Sequence, residues 1–262
     1  MSTSTPPQPS TQTYNSQPYT PRHKTWPYKP SDFSRHDSSP DTSFYGPARF
    51  VTHIDDAAIA SLQTYYATAL PVKGRILDFC SSWISHYPPS VTAAASNGAL
   101  QIIGTGMNAA ELQRNEVLNA GRLVRDLNAT PSIPPEVATG GTLDAATCVV
   151  SIDYLTQPVE VLQSLRGMMK LDGMVHLVVS NRCFPTKAVA RWLRVSEQER
   201  LLMVADYLHF AGWTGIEILD LKAGERTDDQ GGDAQRGFKE LMRSFGMGAD
   251  DPLWVVRGRN PG

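Results

Sequence analysis

The chain has 262 residues, 41% of them hydrophobic, enough for one large α/β domain with a sizeable core. Charged residues make up 19% and the formal net charge is -2, so the strongly basic footprint of a nucleic-acid binder is absent. No apolar run approaches the roughly 20 residues of a membrane helix. The opening MSTSTPPQPSTQTYNSQPYTP is polar and proline-rich, where a secretory signal would be basic and then apolar. Cys80, Cys148 and Cys183 form no CxxC spacing. Neither a zinc site nor a disulfide framework is expected, and a reducing, cytoplasmic setting fits.

Residues 1–40 are rich in Pro, Ser, Thr, Gln and Tyr and poor in aliphatics. Such a segment buries too little apolar surface to offset its ordering entropy, so a disordered, low-complexity tail is expected. Its aromatics, Tyr14, Tyr19, Trp26 and Tyr28, leave room for part of it to pack over a pocket. Residues 41–73 are expected to form a helical lid. In AAIASLQTYYATAL the apolar residues Ile59, Leu62, Tyr66 and Leu70 recur on one helix face. Asp55 or Asp56 is placed to cap its start, and Pro71 and Gly74 end it. Ahead of it, Tyr45, Arg49 and His53 are spaced so that a helical segment would align them. His53 is a natural base near neutral pH.

Residues 74–262 alternate strands with helices. RILDFC is a short buried strand, followed by a turn–helix region broken by Pro88 and Pro89. ALQIIG, GRLVRDL, TLDAATCVVS and MVHLVVS are the next four strands. Helices are predicted at AAELQRNEVL and over 157–171, where Pro158 lies in the first turn and Gly173 follows the end. A long helical region follows, with Ser196-Glu-Gln-Glu199 as a capping box. GIEILDL and PLWVVRG are the last strands, separated by a polar loop at 222–237 and the helix FKELMRSF. This alternation predicts a seven-stranded, mainly parallel Rossmann-like sheet with helices on both faces.

In such sheets ligands bind beyond the carboxyl ends of the strands. The residues there are Asp78–His86, Gly104–Asn108, Asp126–Asn128, Ser151–Leu155 and Ser180–Arg182. Over about residues 74–220 these segments, and above all LDAATCVVSIDYLTQPVEVLQSLRGMMKLDGMVHLVVSNR, resemble class I S-adenosylmethionine-dependent methyltransferases. SSWISHYP, GMNAAEL and SNRCFPTKA resemble a methyltransferase-like subfamily within them. The resemblance implies that the last strand is antiparallel and that S-adenosylmethionine is the cofactor. Asp78, Cys80, Ser81, Ser82, Gly104, Gly106, Met107, Asn108, Asp126, Leu127, Asn128 and Ser151 would then hold the cofactor. Asp153, Tyr154 and His53 would serve catalysis, and Tyr45, Arg49, His86 and Arg182 the substrate. The partner implied is a small-molecule methyl acceptor, with a homodimer left open and neither nucleic acid nor membrane involved.

Two departures from that pattern stand out. Cys80, Ser82 and Ile84 occupy positions where the family has glycines after its first strand. Gly106 stands where the family has an acid for the ribose hydroxyls, leaving Asn108 or Glu111 to make that contact. A neutral amide contributes less than a charge-assisted bond, so modest cofactor affinity is expected. The alternatives are a methyltransferase-like fold that catalyses a rearrangement with the bound sulfonium, or a non-catalytic scaffold that uses its tail for a partner. Arg182 and Lys187, flanking Phe184, are expected to be solvated at the surface.

Overall fold

The computed structural model describes residues 14–222 and 251–262. Its sheet is built from the buried aliphatic runs of the sequence. The chain enters at β1 (Asn15–Pro18) and, after the single helical turn α1 (Asp41–Phe44) and helix α2 (Asp56–Ala69), forms β2 (Gly74–Phe79). Helix α3 (Pro89–Ser96), β3 (Leu100–Gly106), α4 (Ala109–Arg114) and β4 (Gly121–Val124) follow. Then come β5 (Leu143–Val149), α5 (Pro158–Arg166), β6 (Met169–Ser180), α6 (Ala190–Arg194), α7 (Glu197–Phe210), β7 (Thr214–Asp220) and β8 (Leu253–Arg259).

The sheet has eight strands in the order β1-β7-β8-β6-β5-β2-β3-β4. Pairing is parallel from β4 through β3, β2 and β5 to β6. The last strand, β8, runs antiparallel to both β6 and β7. One face packs Leu77, Phe79, Leu162, Leu177, Trp192 and Tyr207. The other packs Leu62, Tyr66, Val91, Ile102, Val178 and Val255. Each such side chain contributes about 1.5–3 kcal/mol relative to exposure. Helix α2 starts as its sequence requires, with the Asp55 carboxylate accepting from the Ala58 N–H at 2.7 Å. Helix α7 starts at Ser196, whose hydroxyl accepts from the Glu199 N–H.

Several expectations are corrected. The eighth strand comes from the expected loose tail: β1 pairs antiparallel with the β7 edge, Asn15 opposite Asp220. Beyond it, Trp26 stacks on Phe33, and Tyr28 is buried. The buried carboxylate of Asp206 on α7 accepts from the hydroxyls of Tyr19 and Tyr28 and, at 2.8 Å, from Arg22. That concentration of aromatic and ionic contacts supplies what aliphatic composition did not. Helix α5 stops at Arg166 rather than 171, because β6 begins at Met169 and Asp172 turns with a positive φ of 60°. The helix FKELMRSF and nearly all of the polar loop ahead of it lie outside the described residues.

Candidate active site

Strand order reverses between β2 and β5, since the chain proceeds outward from β2 through β3 to β4 and then returns to β5 on the other side. A doubly wound sheet opens a crevice at that switch point. A cavity of about 360 Å³ lies there, walled by the loops after β2, β3, β4, β5 and β6 and covered by residues between Asp41 and Ile54. Its size suits a small ligand. Four non-glycine residues have positive φ among the described residues, and three of them line this cavity: Cys80 at 53°, His86 at 54° and Val150 at 41°. A β-branched residue in that region is an outlier, and strain of this kind gathers at functional sites.

Asp78, the penultimate residue of β2, lies opposite Thr147 of β5. That register lets its buried carboxylate accept from the hydroxyls of Ser81 and Ser85 at 2.6 Å each and of Thr147 at 3.1 Å. Burial pushes its pKa up to about 6, against the opposing pull of those three hydroxyls. Asn115 braces the same loop by donating to Ser85 Oγ at 2.9 Å and to the Ser82 carbonyl at 3.0 Å. Across the crevice the Ser81 N–H donates to the Thr105 carbonyl at 2.8 Å. The Ser81 carbonyl oxygen then occupies the space that a Cβ at Gly106 would need. Glycine is therefore required at 106 by the close approach of the loop.

The next wall is tied to the lid. Asn108 caps α4 by accepting from the Ala110 and Glu111 N–H groups, and its amide donates to the carbonyls of Tyr45 and Gly46 at 2.9 and 2.8 Å. Glu111 Oε1 accepts from the Arg49 N–H at 2.7 Å, leaving Oε2 without a hydrogen-bond partner among the described residues. Asp126 folds its own turn, Oδ1 accepting from the Asn128 and Ala129 N–H groups, and its other oxygen is likewise unpaired among the described residues. Asn128 donates to Asp41 Oδ2 and to the Tyr154 carbonyl. Asp41 in turn pairs with Arg35 at 2.8 Å and with Lys187 at 3.2 Å. Lys187 is fully buried and reaches Asp37 as well, which corrects its expected surface position.

The far wall is aromatic. Phe184 stands edge-on to His53 and Phe44, and Tyr154 tilts against it at 6.0 Å. The Tyr154 hydroxyl accepts from the Phe184 N–H at 2.8 Å. His53 is half-buried, and burial lowers its pKa. His86 is buried with Nδ1 unpartnered, and burial lowers its pKa to about 4, with the charge of His53 adding to the effect. Both imidazoles are thus held neutral at physiological pH. Arg182 also lines the cavity, but its Nε pairs with Asp251 at 2.7 Å.

Tyr45, Arg49 and His53 reach the cavity, although not along a helix: α1 ends at Phe44, and Gly46 and Pro47 keep the rest irregular. Asp78, Cys80, Ser81, Ser82, Gly106, Met107, Asn108, Asp126, Leu127, Asn128, Ser151 and Tyr154 line it too. Two residues do not. Gly104 faces the core, where a Cβ would strike Leu118. Asp153 is buried away from the cavity lining with Oδ2 unpartnered, and burial raises its pKa to about 8. Asp41, Arg125 and Phe184 line the cavity without having been singled out for it. For Asp41 the usable signal was its place just ahead of Tyr45; the buried Lys187 that fixes it is distant in sequence.

The comparison with solved structures now bears on the strand order. The putative methyltransferase in complex with the Haloferax volcanii activator Trm112 aligns at a TM-score of 0.50 and 14% identity, over 79% of this chain and 92% of that one. The chain has the class I methyltransferase fold. The [4+2]-cyclase SpnF aligns at a TM-score of 0.49 and 16% identity, over 84% of this chain and 91% of that one. Phosphoethanolamine N-methyltransferase 2 of Haemonchus contortus, in complex with S-adenosyl-L-methionine, aligns at 0.47 and 13%, over 79% of this chain. The chain spans about half of that enzyme's length, 53%. At these identities the likeness is one of methyltransferase fold. No family model and no curated protein matches the sequence. No helix among the described residues is long and apolar enough to cross a membrane.

Proposed function

We propose that this methyltransferase-fold chain transfers a methyl group from S-adenosylmethionine to an oxygen, nitrogen or carbon nucleophile of a small molecule. One observation carries the reading: a single cavity at the switch point takes its walls from the ends of five consecutive parallel strands and holds three strained residues. The residues present fit the cofactor. Asp126, Leu127 and Asn128 offer one unpaired carboxylate oxygen and a buried apolar wall for the adenine end. Glu111 Oε2 would take the part of the acid that Gly106 replaces. Cys80–Ser82 would border the sulfonium end. When bound, the cofactor supplies an electrophilic methyl carbon for in-line displacement.

The chain's own contribution is alignment and exclusion of water. The lid, held by Asn108, Glu111 and Asn128, covers the cavity, and Tyr154 and Phe184 give it an apolar wall. His53, neutral and facing the cavity, takes the proton released by an acceptor hydroxyl or amine. Calorimetric titration with S-adenosylmethionine and S-adenosylhomocysteine tests this, and no binding at millimolar ligand overturns it.

A second reading keeps the bound cofactor without methyl transfer. It is favoured by the Asp78 carboxylate, which commits three of its roughly four acceptor positions to hydroxyls of its own scaffold. Tight cofactor binding with no turnover across acceptor libraries distinguishes it.

A further inference from the structure

Arg49 is a half-buried cation on the cavity wall with no carboxylate partner among the described residues. Its guanidinium lies 4.7 Å from the centroid of Phe44 and 5.6 Å from that of Phe184. Its side chain donates to the Phe44 carbonyl at 2.9 Å. Glu111 lies at this wall in the fold, but it engages the backbone N–H of Arg49 and not the guanidinium. No acidic side chain comes within ion-pair distance of that guanidinium among the described residues. Of the other cations near this wall, Arg35 and Lys187 are paired with Asp41 and Arg182 with Asp251, while Arg125, at the end of the cavity formed by the loop after β4, lies away from the aromatic pair.

The two rings meet edge to face and cover one side of the guanidinium, stripping part of its water, which makes an unanswered charge costly. They also leave the remaining donors fixed in a fork that matches a carboxylate. A second feature at the same cavity calls for a ligand. His86 is buried and lines the cavity, yet its Nδ1 has no partner. His53, edge-on to Phe184, supplies a further imidazole.

We propose that Arg49 is the carboxylate-binding residue of this cavity and that the methyl acceptor is a small organic acid, its carboxylate on Arg49 and its apolar body against Tyr154 and Phe184. The inference rests on reading the cavity as a site for cofactor and acceptor. S-adenosylmethionine also carries a carboxylate, so the test has to separate the two sources.

The test is calorimetry on the full chain with four probes: benzoate, its neutral counterpart benzamide, S-adenosylhomocysteine, and 5′-methylthioadenosine, which lacks the amino-acid end. Arg49→Ala and Arg49→Lys are compared with the parent, with thermal melting as the check on folding. Loss of a charge-assisted pair is expected to weaken benzoate about tenfold to hundredfold in Arg49→Ala and leave benzamide unchanged. Arg49→Lys, which keeps charge but loses the fork, falls between. If instead S-adenosylhomocysteine weakens by that factor and neither 5′-methylthioadenosine nor benzoate does, the carboxylate site stands but its occupant is the cofactor, and the acid acceptor is overturned. Arg49-dependent benzoate binding without S-adenosylhomocysteine binding supports the site and overturns the methyl-transfer reading. A folded variant in which no carboxylate ligand weakens, or a parent chain that binds neither carboxylate, overturns the proposal.

Discussion

The carbonyl oxygen of Ser81 lies over the Cα of Gly106, in the space any side chain at 106 would fill. The loop after β2 and the end of β3 are thereby locked into one surface, closed by the Ser81–Thr105 hydrogen bond. The two departures from the pattern that the sequence resembles, in the loop and at 106, thus meet in this one contact. An acid at 106 and the present path of the Cys80–Ser82 loop exclude each other.

Grafting the missing acid onto this chain is therefore expected to fail. Gly106→Asp is expected to weaken S-adenosylhomocysteine at least tenfold and to destabilise the fold by about 1–3 kcal/mol, the usual cost of forced overpacking. Glu111→Gln is expected to weaken the same ligand several-fold with little loss of stability. Calorimetry and chemical denaturation of both variants measure this; tighter binding in Gly106→Asp would contradict it.

Two buried acids give the fold a pH dependence of known sign. Burial raises Asp78 to about 6 and Asp153 to about 8, both above the ordinary carboxyl value of 3.8. The folded state thus holds protons that the unfolded state releases. The stability they contribute is complete below 3.8 and declines as pH rises, through about 6 for Asp78 and about 8 for Asp153. Asp153→Asn stays neutral throughout. It is expected to flatten the decline between 3.8 and about 8, and to melt higher than the parent at alkaline pH. Melting temperatures across that range give the answer; parallel curves for the two proteins would count against a buried neutral Asp153.

His53 sets the pH profile of turnover if it accepts the substrate proton. Its burial lowers the pKa from 6.5, so the neutral, proton-accepting form persists through neutrality. Activity is expected to be flat there and to fall only as pH drops below that value. His53→Asn is expected to lower kcat by about a hundredfold or more and to abolish the acid limb. A pH–rate profile of the two proteins decides it. An unchanged acid limb in the variant would assign it to another group.

The amino-terminal belt is structural through Asp206. That carboxylate has no exposed surface and accepts from Tyr19, Tyr28 and Arg22. Asp206→Ala leaves the tyrosine hydroxyls and a partly buried guanidinium unanswered and is expected to cost about 3–5 kcal/mol. Deleting residues through Arg22 also removes β1 from the β7 edge and is expected to destabilise comparably. Denaturant midpoints test both; a loss under about 1 kcal/mol, the worth of an exposed pair, would contradict the clasp.

What could be read in advance follows from range along the chain. The seven strands from β2 to β8 were legible because each is an apolar run with its own punctuation, such as Gly74 opening β2 or Pro158 opening α5. The cavity-lining loops followed from strand ends, which is why Asp78, Asp126 and Ser151 were found. β1 was not legible, since Asn15–Pro18 is polar and exposed and gains its strand only by pairing with residues some two hundred positions away. Lys187 failed for the same reason: its burial depends on Asp37 and Asp41 arriving from the belt. Asp153 and Gly104 were expected at the cavity because they border strand ends. Which way a residue faces there depends on the exact turn, here the 3-10 turn at Ile152–Tyr154. The lid residues were found by correct spacing for the wrong reason, since α1 ends at Phe44 and Pro47 disfavours helix at Gly46 before it.

The most direct measurement is a crystal structure of the chain soaked with S-adenosylhomocysteine. The ligand is expected in the cavity beyond β2–β6, its adenosine end at Asp126–Asn128, its ribose beside Glu111, and the Cys80–Ser82 loop still seated over Gly106. A saturating soak that leaves the cavity without ligand, or a ligand bound elsewhere on the molecule, would contradict the reading of this cavity as a cofactor site.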